Sequence, residues 1–263
     1  MIEHLTVSLP RLPQQFEGLS VAALADLHAG LPWRRAGAVG RTVEAINSRG
    51  PDVILLLGDI VDRLPHASSY LGLMADLRAV ECIYATLGNH EHEYKWVDRR
   101  MRRRPLLTVA DWRRLYAEAG IELLVNEARP LERGTERIWL VGIDDCRSGH
   151  ADPAGALAGV PPDECSIGFT HHPDIIDHPH ARRLDLLLAG HTHGGQLRVP
   201  LLGVRHVSCR DPQRRAFGWV EHNGTRMYVT RGAGEGIPLR IGCPRQIPVF
   251  TLRQGEISPP GTS

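Results

Sequence analysis

Residues 53–62 read V-I-L-L-L-G-D-I-V-D, in which the longest aliphatic run of the chain is followed directly by a glycine and two carboxylates. A run of this kind is typical of a β-strand buried inside an α/β protein. In open α/β sheets, ligands bind beyond the carboxyl ends of the strands. The stretch therefore predicts an α/β fold with Asp59 and Asp62 in a polar site at a strand end.

Four other aliphatic runs end in the same way, and the polar residues after them are again carboxylates, imidazoles or an amide. In chain order these residues are Asp26 and His28, then Asn89, His90 and Glu91, then His171, and finally His191 and His193. Because strand ends share one edge of an open sheet, five successive strands are expected to deliver these side chains to one place.

The remaining sequence alternates short aliphatic runs with amphipathic stretches, a pattern that is typical of an α/β domain. The predicted strands are Leu19–Leu24, Asp52–Leu57, Cys82–Leu87, Arg137–Ile143, Ser166–Thr170, Leu184–Ala189, Arg226–Thr230 and Pro248–Leu252. The predicted helices are Ala38–Ser48, Ala67–Arg78 and Val109–Ala119, the last with Thr108 as its N-cap. No stretch reads as a linker, so we expect one domain over residues 1–253 and a flexible tail over 254–263.

Composition excludes several classes of protein. The chain has 263 residues, 42% of them hydrophobic and 23% charged, and its formal net charge is +1. That balance argues against a protein dedicated to binding nucleic acid. No run is long enough to span a membrane, and Glu3, Pro10 and Pro13 are unlike a secretion signal, so we expect a cytoplasmic protein. The five cysteines are scattered without a CxxC pair, which predicts reduced thiols.

The residue types at the strand ends point to metal chemistry. Carboxylate, imidazole and amide donors together suit manganese, iron, cobalt or zinc, and the absence of thiolates disfavours a structural zinc site. Seven ligand-type residues exceed what one tetrahedral ion needs, which favours two metal ions that share a bridging carboxylate. Such a pair, about 3.5–4 Å apart, holds the attacking and leaving oxygens at phosphorus and makes hydroxide available near neutral pH.

These motifs together resemble the calcineurin-like metallophosphoesterase superfamily. They are Asp26-x-His28, Gly58-Asp59-x-x-Asp62, Gly88-Asn89-His90-Glu91, His171 and Gly190-His191-x-His193. The run Gly190–Gln196 and the later Arg231-Gly232, Pro238, Arg240 and Cys243-Pro244 are similar to one bacterial branch of it. That branch contains phosphodiesterases such as YkuE and YaeI, and relatives that cleave a UDP-diacylglucosamine lipid precursor. The resemblance covers residues 5–252.

The resemblance implies a role for each matching residue. Asp26, His28 and His193 would hold one metal ion. Asn89, His171 and His191 would hold the other, and Asp59 would bridge the two. His90 would be catalytic, as a proton donor or charge stabiliser near the phosphoryl group. The implied fold is a β-sandwich of two mixed sheets flanked by helices.

Several residues keep two interpretations. Asp62 is favoured as a partner that orients a ligand histidine over a direct ligand. His171 is favoured over its neighbour His172 because only one of two adjacent extended residues faces the metals. Glu91 either lines the cleft or caps a loop. Arg231 and Arg240 either bind a substrate phosphate or form ion pairs that stabilise the fold.

The favoured function is a dinuclear metal-dependent phosphoesterase that hydrolyses phosphodiester or pyrophosphate bonds, on a nucleotide-linked or lipid-linked substrate. The alternatives are a metal-free interaction scaffold on the same fold, a phosphomonoesterase, or a different hydrolase with a two-metal site. The segment from Lys95 to Arg104 contains six basic residues and one acidic residue. It predicts a solvated loop, with contact to an anionic inner-membrane surface as the alternative.

Overall fold

The first of two large β-sheets is formed mainly by strands from the amino-terminal half of the chain. In the computed structural model, the described residues are 1–34, 36–62, 67–92, 107–199, 203–204 and 209–256. Six strands form this sheet: β1 (Ile2–Leu9), β2 (Ser20–Leu24), β3 (Val53–Leu57), β4 (Cys82–Thr86), β5 (Glu122–Leu123) and β14 (Ile247–Gln254). Their order is β1-β14-β2-β3-β4-β5, and only the pair β14 and β2 is antiparallel.

The second sheet is built from later residues and is also mixed. Its strands are β6 (Glu127–Arg133), β7 (Glu136–Ile143), β8 (Ser166–Thr170), β9 (Leu186–Ala189), β12 (Gly218–His222) and β13 (Thr225–Val229). Their order is β12-β13-β9-β8-β7-β6, with a parallel centre and an antiparallel pair at each end. The short strands β10 (Arg198–Val199) and β11 (Gly203–Val204) pair separately as an antiparallel hairpin.

The two sheets pack face to face around a shared apolar core. Val53, Leu55 and Leu57 of β3 point into this core, where they meet side chains of the second sheet such as Ile167 and Phe169. The alternate residues of β3 point to the opposite face and pack under helices. Burial on both faces explains why β3 is aliphatic at every position, because successive side chains of a strand point to opposite sides.

In the described part of the chain, six short α-helices flank the sheets. They are α1 (Ala36–Asn47), α2 (Ala67–Gly72), α3 (Asn89–His92), α4 (Val109–Glu118), α5 (Pro153–Ala156) and α6 (Pro212–Arg215). Helix α4 begins at the predicted capping box, in which Thr108 and Asp111 each accept the other's backbone N–H. The helix predicted over 67–78 is shorter than expected, because α2 ends at Gly72 and a 3-10 turn follows over Leu73–Asp76.

The predicted fold class, two mixed sheets flanked by helices, is confirmed. All eight predicted strands are present, within a few residues of their expected bounds. The expectation that the polar strand ends share the edge of one sheet was wrong. Asp26, Asp59 and Asn89 follow strands of the first sheet, whereas His171 and His191 follow strands of the second. They meet because the two sheets present these strand ends at the same end of the sandwich.

Some predictions fall on residues that lie outside the described part of the chain. The basic segment lies within residues 93–106, and most of the expected tail lies within 257–263. Gln254, the first residue of that tail, belongs to β14. Among the described residues, no helix combines the length and apolar character of a membrane span. The five cysteines are free thiols, as predicted.

Candidate metal centre

The side chains predicted at the strand ends converge on one site between the two sheets. Two groups of possible ligands meet there, each with donor atoms that lie within 4.8 Å of one another. The first consists of Asp26, His28 and His193, and the second of Asp59, His171 and His191. A third such group, His28, Asp62 and His90, overlaps the first. Asp26, Asn89 and His171 are completely buried.

Left-handed backbone conformations aim these side chains into the site. Asp26, His28, Asp59, His191 and His193 all have φ between 51° and 71°. For residues other than glycine this conformation costs roughly 1–2 kcal/mol each. Strain of this kind persists only where the surrounding structure enforces it, and it concentrates at functional sites. Five strained residues at one site therefore indicate that the positions of these side chains matter more than local backbone stability.

Gly88 allows the loop after β4 to pack closely against the loop after β3. A Cβ atom at position 88 would lie 2.3 Å from Oδ1 of Asp59 and 2.9 Å from Cγ of His171. Any side chain there would push two predicted ligands apart. The first residue of the Gly88-Asn89-His90-Glu91 motif must therefore be a glycine, because the backbone at this position lies too close to Asp59 and His171 for any side chain.

The first group presents three donors to a common point. Nε2 of His28 lies 3.1 Å from Nε2 of His193, which in turn lies 3.6 Å from Oδ1 of Asp26. Nδ1 of His28 donates to Oδ2 of Asp62 at 3.0 Å, which turns Nε2 toward the other donors. Asp62 thus orients a histidine through its second ring nitrogen, as metal-binding histidines are commonly oriented.

The second group is organised in the same way. Nδ1 of His171 donates to the carbonyl oxygen of Leu57 at 2.9 Å, so that Nε2 faces the site. That Nε2 lies 3.1 Å from Oδ2 of Asp59 and 3.2 Å from Nδ1 of His191. Oδ2 of Asp59 also lies 4.0 Å from Nε2 of His28. One oxygen of Asp59 therefore reaches donors of both groups.

His90 lies beside Asp59 and is held by Asp62. Its backbone N–H donates to Oδ1 of Asp59 at 2.8 Å, and its Nε2 lies 3.7 Å from Oδ2 of the same residue. Its Nδ1 forms a short hydrogen bond with Oδ1 of Asp62. Asn89 precedes His90 at the start of α3 and is fully buried. Asp62 therefore contacts His28 and His90 at once.

The electrostatics reflect a dense mixture of acids and imidazoles. Burial lowers the pKa of His28, but the charge and hydrogen bond of Asp62 outweigh it and raise that pKa to about 9. Burial also lowers the pKa of His171, and Asp59 raises it to about 10. Burial raises the pKa of Asp59, yet its histidine neighbours hold it well below the usual range. Burial instead raises the pKa of Asp26 and lowers those of His191 and His193, so the site combines ionised and neutral side chains.

Glu91 caps a loop, which was one of its two predicted interpretations. Its buried carboxylate accepts hydrogen bonds from the backbone N–H groups of four residues that surround the site. These residues are Asp59 at 2.9 Å, Ile60 at 2.7 Å, Val61 at 3.1 Å and Gly88 at 2.9 Å. Glu91 fixes the backbone that places Asp59.

The two arginines predicted as substrate candidates have partners within the protein. Nη2 of Arg231 donates to Glu3 at 2.7 Å. Arg240 donates to the carbonyl oxygen of His193 at 3.2 Å and to that of Arg231 at 2.8 Å. These contacts match the alternative in which both arginines stabilise the fold. A role in binding substrate phosphate stays a prediction.

Sequence analysis did not single out Arg147. Its Nη1 lies 3.5 Å from Nε2 of His191, on the side of that ring away from His171. The ring of the neighbouring His172 lies against that of His191, with centroids 4.2 Å apart and an interplanar angle of 40°. A lone arginine in a polar loop offers no periodic or spacing signal, so only the tertiary structure reveals this contact.

The residues present fit a pair of divalent ions. Four imidazole nitrogens and one carboxylate oxygen approach one another in three contacts of 3.1–3.2 Å, and His28, His171 and Asp59 are buried. Such crowding of donor atoms is unfavourable unless protons or cations lie between them. Mixed oxygen and nitrogen donors without thiolates suit Mn²⁺, Fe²⁺, Co²⁺ or Zn²⁺.

Comparison with known proteins shows the family of this chain. The calcineurin-like phosphoesterase family matches residues 19–195, and the chain belongs to that family. The metallophosphoesterase YkuE of Bacillus subtilis is 28% identical over 95% of this chain and 84% of its own length. The phosphodiesterase YaeI of Escherichia coli is 31% identical over 87% of this chain and 80% of its own. A solved dimetal phosphatase from Danio rerio aligns with 84% of this chain and 90% of its own, at 13% identity and a TM-score of 0.41.

Proposed function

We propose that this protein is a hydrolase that uses two divalent metal ions to cleave phosphodiester or pyrophosphate bonds. The observation that carries the proposal is the position of Asp59, whose Oδ2 lies 3.1 Å from Nε2 of His171 and 4.0 Å from Nε2 of His28. One carboxylate oxygen between two ligand groups is the arrangement that a bridging ligand needs.

Each residue of the site then has a part. Asp26, His28 and His193 would hold one ion, Asn89, His171 and His191 would hold the other, and Asp59 would contribute to both sites. When bound, the ions would supply a hydroxide near neutral pH and neutralise charge on the phosphoryl oxygens. His90, with Nδ1 fixed by Asp62, is positioned to give a proton to the leaving oxygen or to stabilise its charge.

The preference for diesters or pyrophosphates is supported by the similarity to the phosphodiesterase YaeI. A nucleotide-linked or lipid-linked substrate belongs to the same proposal. Contact with an anionic membrane surface through the segment 95–104 stays a prediction, because that segment lies outside the described residues.

The test is hydrolysis by the purified full-length protein after metal removal and reconstitution with Mn²⁺, Zn²⁺, Fe²⁺ or Co²⁺. The substrates are p-nitrophenyl phosphate, bis(p-nitrophenyl) phosphate and UDP-glucose, and the metal content is measured in parallel. We expect two ions per chain and metal-dependent cleavage that favours the diester or the pyrophosphate. Asp59→Asn should keep the fold but lose most bound metal and nearly all turnover.

Other results would change the assignment. Preference for the monoester under matched metal loading would make the protein a phosphomonoesterase. A folded protein that binds no metal and cleaves none of the three substrates would favour an interaction scaffold. Full metal occupancy and wild-type activity in Asp59→Asn would overturn the bridging role.

A further inference from the structure

We propose that Arg147 and the cavity beside it form a subsite for the second phosphoryl group of a pyrophosphate-linked substrate. The proposal rests on the proposed function. It adds a binding site for the phosphoryl group that leaves together with the bridging oxygen. A pyrophosphate carries a second charged phosphoryl group beside the attacked one, whereas a simple diester does not. Arg147 would therefore determine which of the two the protein prefers.

The position of Arg147 relative to the site supports this role. Nδ1 of His191 faces His171 at 3.2 Å, and Nε2 of the same ring faces Nη1 of Arg147 at 3.5 Å. The imidazole ring thus stands between the guanidinium and the cluster of ligands. Arg147 is placed to contact a group next to the attacked phosphorus and not that phosphorus itself. A guanidinium is planar and can hold a phosphate through two parallel hydrogen bonds.

A cavity of about 820 Å³ extends from Arg147 away from the ligand cluster. Its walls include Arg147, His172, Ala151, Pro153 and Ile175. This volume is of the size that holds a small organic ligand. A lining that combines charged and apolar side chains suits a phosphoryl group attached to a larger organic part.

Two acidic residues also line the cavity, but arginines balance their charge. Arg215 donates to Asp174 and to Asp177, each at 2.9 Å, and again to Asp177 at 2.7 Å. Arg210 donates through its backbone N–H to Asp174 at 3.0 Å and through Nη1 to Asp177 at 3.3 Å. The two carboxylates that line the cavity are therefore paired with two arginines of the same region.

Asn126 holds both ends of the loop that bears Arg147. Oδ1 of Asn126 accepts the backbone N–H of Asp144 at 3.1 Å and that of Asp152 at 2.8 Å. Nδ2 of Asn126 donates to the carbonyl oxygen of His150 at 2.9 Å. Within the loop, Asp145 accepts the N–H of Ser148 at 2.7 Å. Both ends of the loop are therefore held, which lowers the entropy lost when Arg147 binds an anion.

The reaction places new negative charge where Arg147 lies. Hydrolysis forms a bond from a water oxygen to the attacked phosphorus and breaks the bond from that phosphorus to the bridging oxygen. The bridging oxygen leaves on the second phosphoryl group, and the two protons of the water end on the product phosphates or in solvent. A fixed guanidinium beside that departing group stabilises the charge as it develops.

The experiment compares Arg147→Gln with wild type on UDP-glucose and on bis(p-nitrophenyl) phosphate. We expect the ratio of kcat/KM for UDP-glucose to kcat/KM for the diester to fall about 10–100-fold, the size of one charge-assisted contact. Arg147→Lys should restore only part of it, since an ammonium group cannot form the paired contact. Arg114→Gln, which removes an exposed arginine paired with Glu118 on α4, is the control for loss of charge.

Binding gives a second readout that does not need turnover. Calorimetry of the metal-loaded protein with methylenediphosphonate should show about 10–100-fold weaker binding in Arg147→Gln. Binding of inorganic phosphate should change much less, and metal content should match wild type. These two measurements separate the subsite from the attacked phosphate.

Several outcomes would overturn the proposal. An equal loss of kcat/KM on both substrates would mean that Arg147 contacts the attacked phosphate. No loss of kcat/KM on either substrate would mean that Arg147 does not bind the substrate. If wild type cleaves none of the substrates, the proposed function fails, and the diphosphonate measurement alone decides the subsite. Unchanged diphosphonate binding in Arg147→Gln, or no such binding in wild type, would then reject it.

Discussion

Oδ2 of Asp62 lies 3.0 Å from Nδ1 of His28, and the other oxygen of the same carboxylate binds Nδ1 of His90. One acidic side chain thus orients a predicted metal ligand and the predicted catalytic histidine. Both rings consequently turn Nε2 toward Oδ2 of Asp59, at 4.0 Å from His28 and 3.7 Å from His90. Asp62 therefore fixes the orientation of both histidines, to which the proposed function assigns metal binding and proton transfer.

Asp62→Asn should weaken both of these roles, because the amide offers one acceptor oxygen where the carboxylate offers two. We expect a loss of about 10–100-fold in metal affinity, the effect that removal of such partners commonly has. Metal titration of the apo protein measures it, and steady-state kinetics at saturating metal should show a further loss of turnover. Asp76→Asn, at an exposed position that pairs with Arg78, is the control. Wild-type metal affinity and turnover in Asp62→Asn would show that neither histidine needs Asp62.

His90→Ala should separate catalysis from metal retention. The variant should keep two metal ions and lose about 10²–10⁴ in kcat, the contribution typical of a proton donor. The loss should be largest on substrates with poor leaving groups, because they depend most on protonation. Elemental analysis and kinetics on the same preparation make the comparison. A fall in metal content would instead identify His90 as a ligand.

Glu91→Gln tests the loop cap. Replacing one carboxylate oxygen by an amide leaves two buried N–H groups facing a donor, which should lower the free energy of unfolding by about 2–4 kcal/mol. Urea denaturation measures this quantity. Glu118→Gln changes an exposed glutamate of α4 and should have little effect. Equal stability of the two variants would mean that the four hydrogen bonds of Glu91 contribute little.

The pair formed by Asp177 and Arg215 predicts a pH-dependent contribution to stability. The hydrogen bond from Arg215 holds the pKa of Asp177 below its ordinary value of 3.8. The unfolded carboxyl therefore binds a proton at a higher pH than the folded one does, so this stabilisation is complete above 3.8 and is lost as the pH falls from there through the lower pKa of the folded state.

Asp177→Asn should accordingly be less stable than wild type at pH 7, by about 1 kcal/mol. The difference should shrink as the pH is lowered from 5 toward 3. Urea denaturation across this range measures both proteins under the same conditions. A difference that stays constant with pH would mean that charge on Asp177 contributes nothing to it.

The sequence predicted the central elements better than the edges. Strands such as β3 and β9 are buried on both faces and read as uninterrupted apolar runs. The strands that were missed include β1, β6 and β12, which lie at the edges of the sheets and carry polar residues on exposed positions. An edge strand forms because it pairs with a neighbouring strand, and the pattern of a single sequence does not show that pairing.

What the sequence by itself determined is the inventory of the site. Apolar runs followed by Asp, His and Asn fixed the strand ends and the kinds of donor atoms there, because local pattern and residue chemistry are properties of the chain. Only the tertiary structure decided how donors from two different sheets meet, with Asp59 between His28 and His171. It also decided that Glu91 caps a loop and that Arg147 lies behind His191. These relationships join residues up to 112 positions apart, and such contacts depend on how the two sheets pack against each other, which no local pattern encodes.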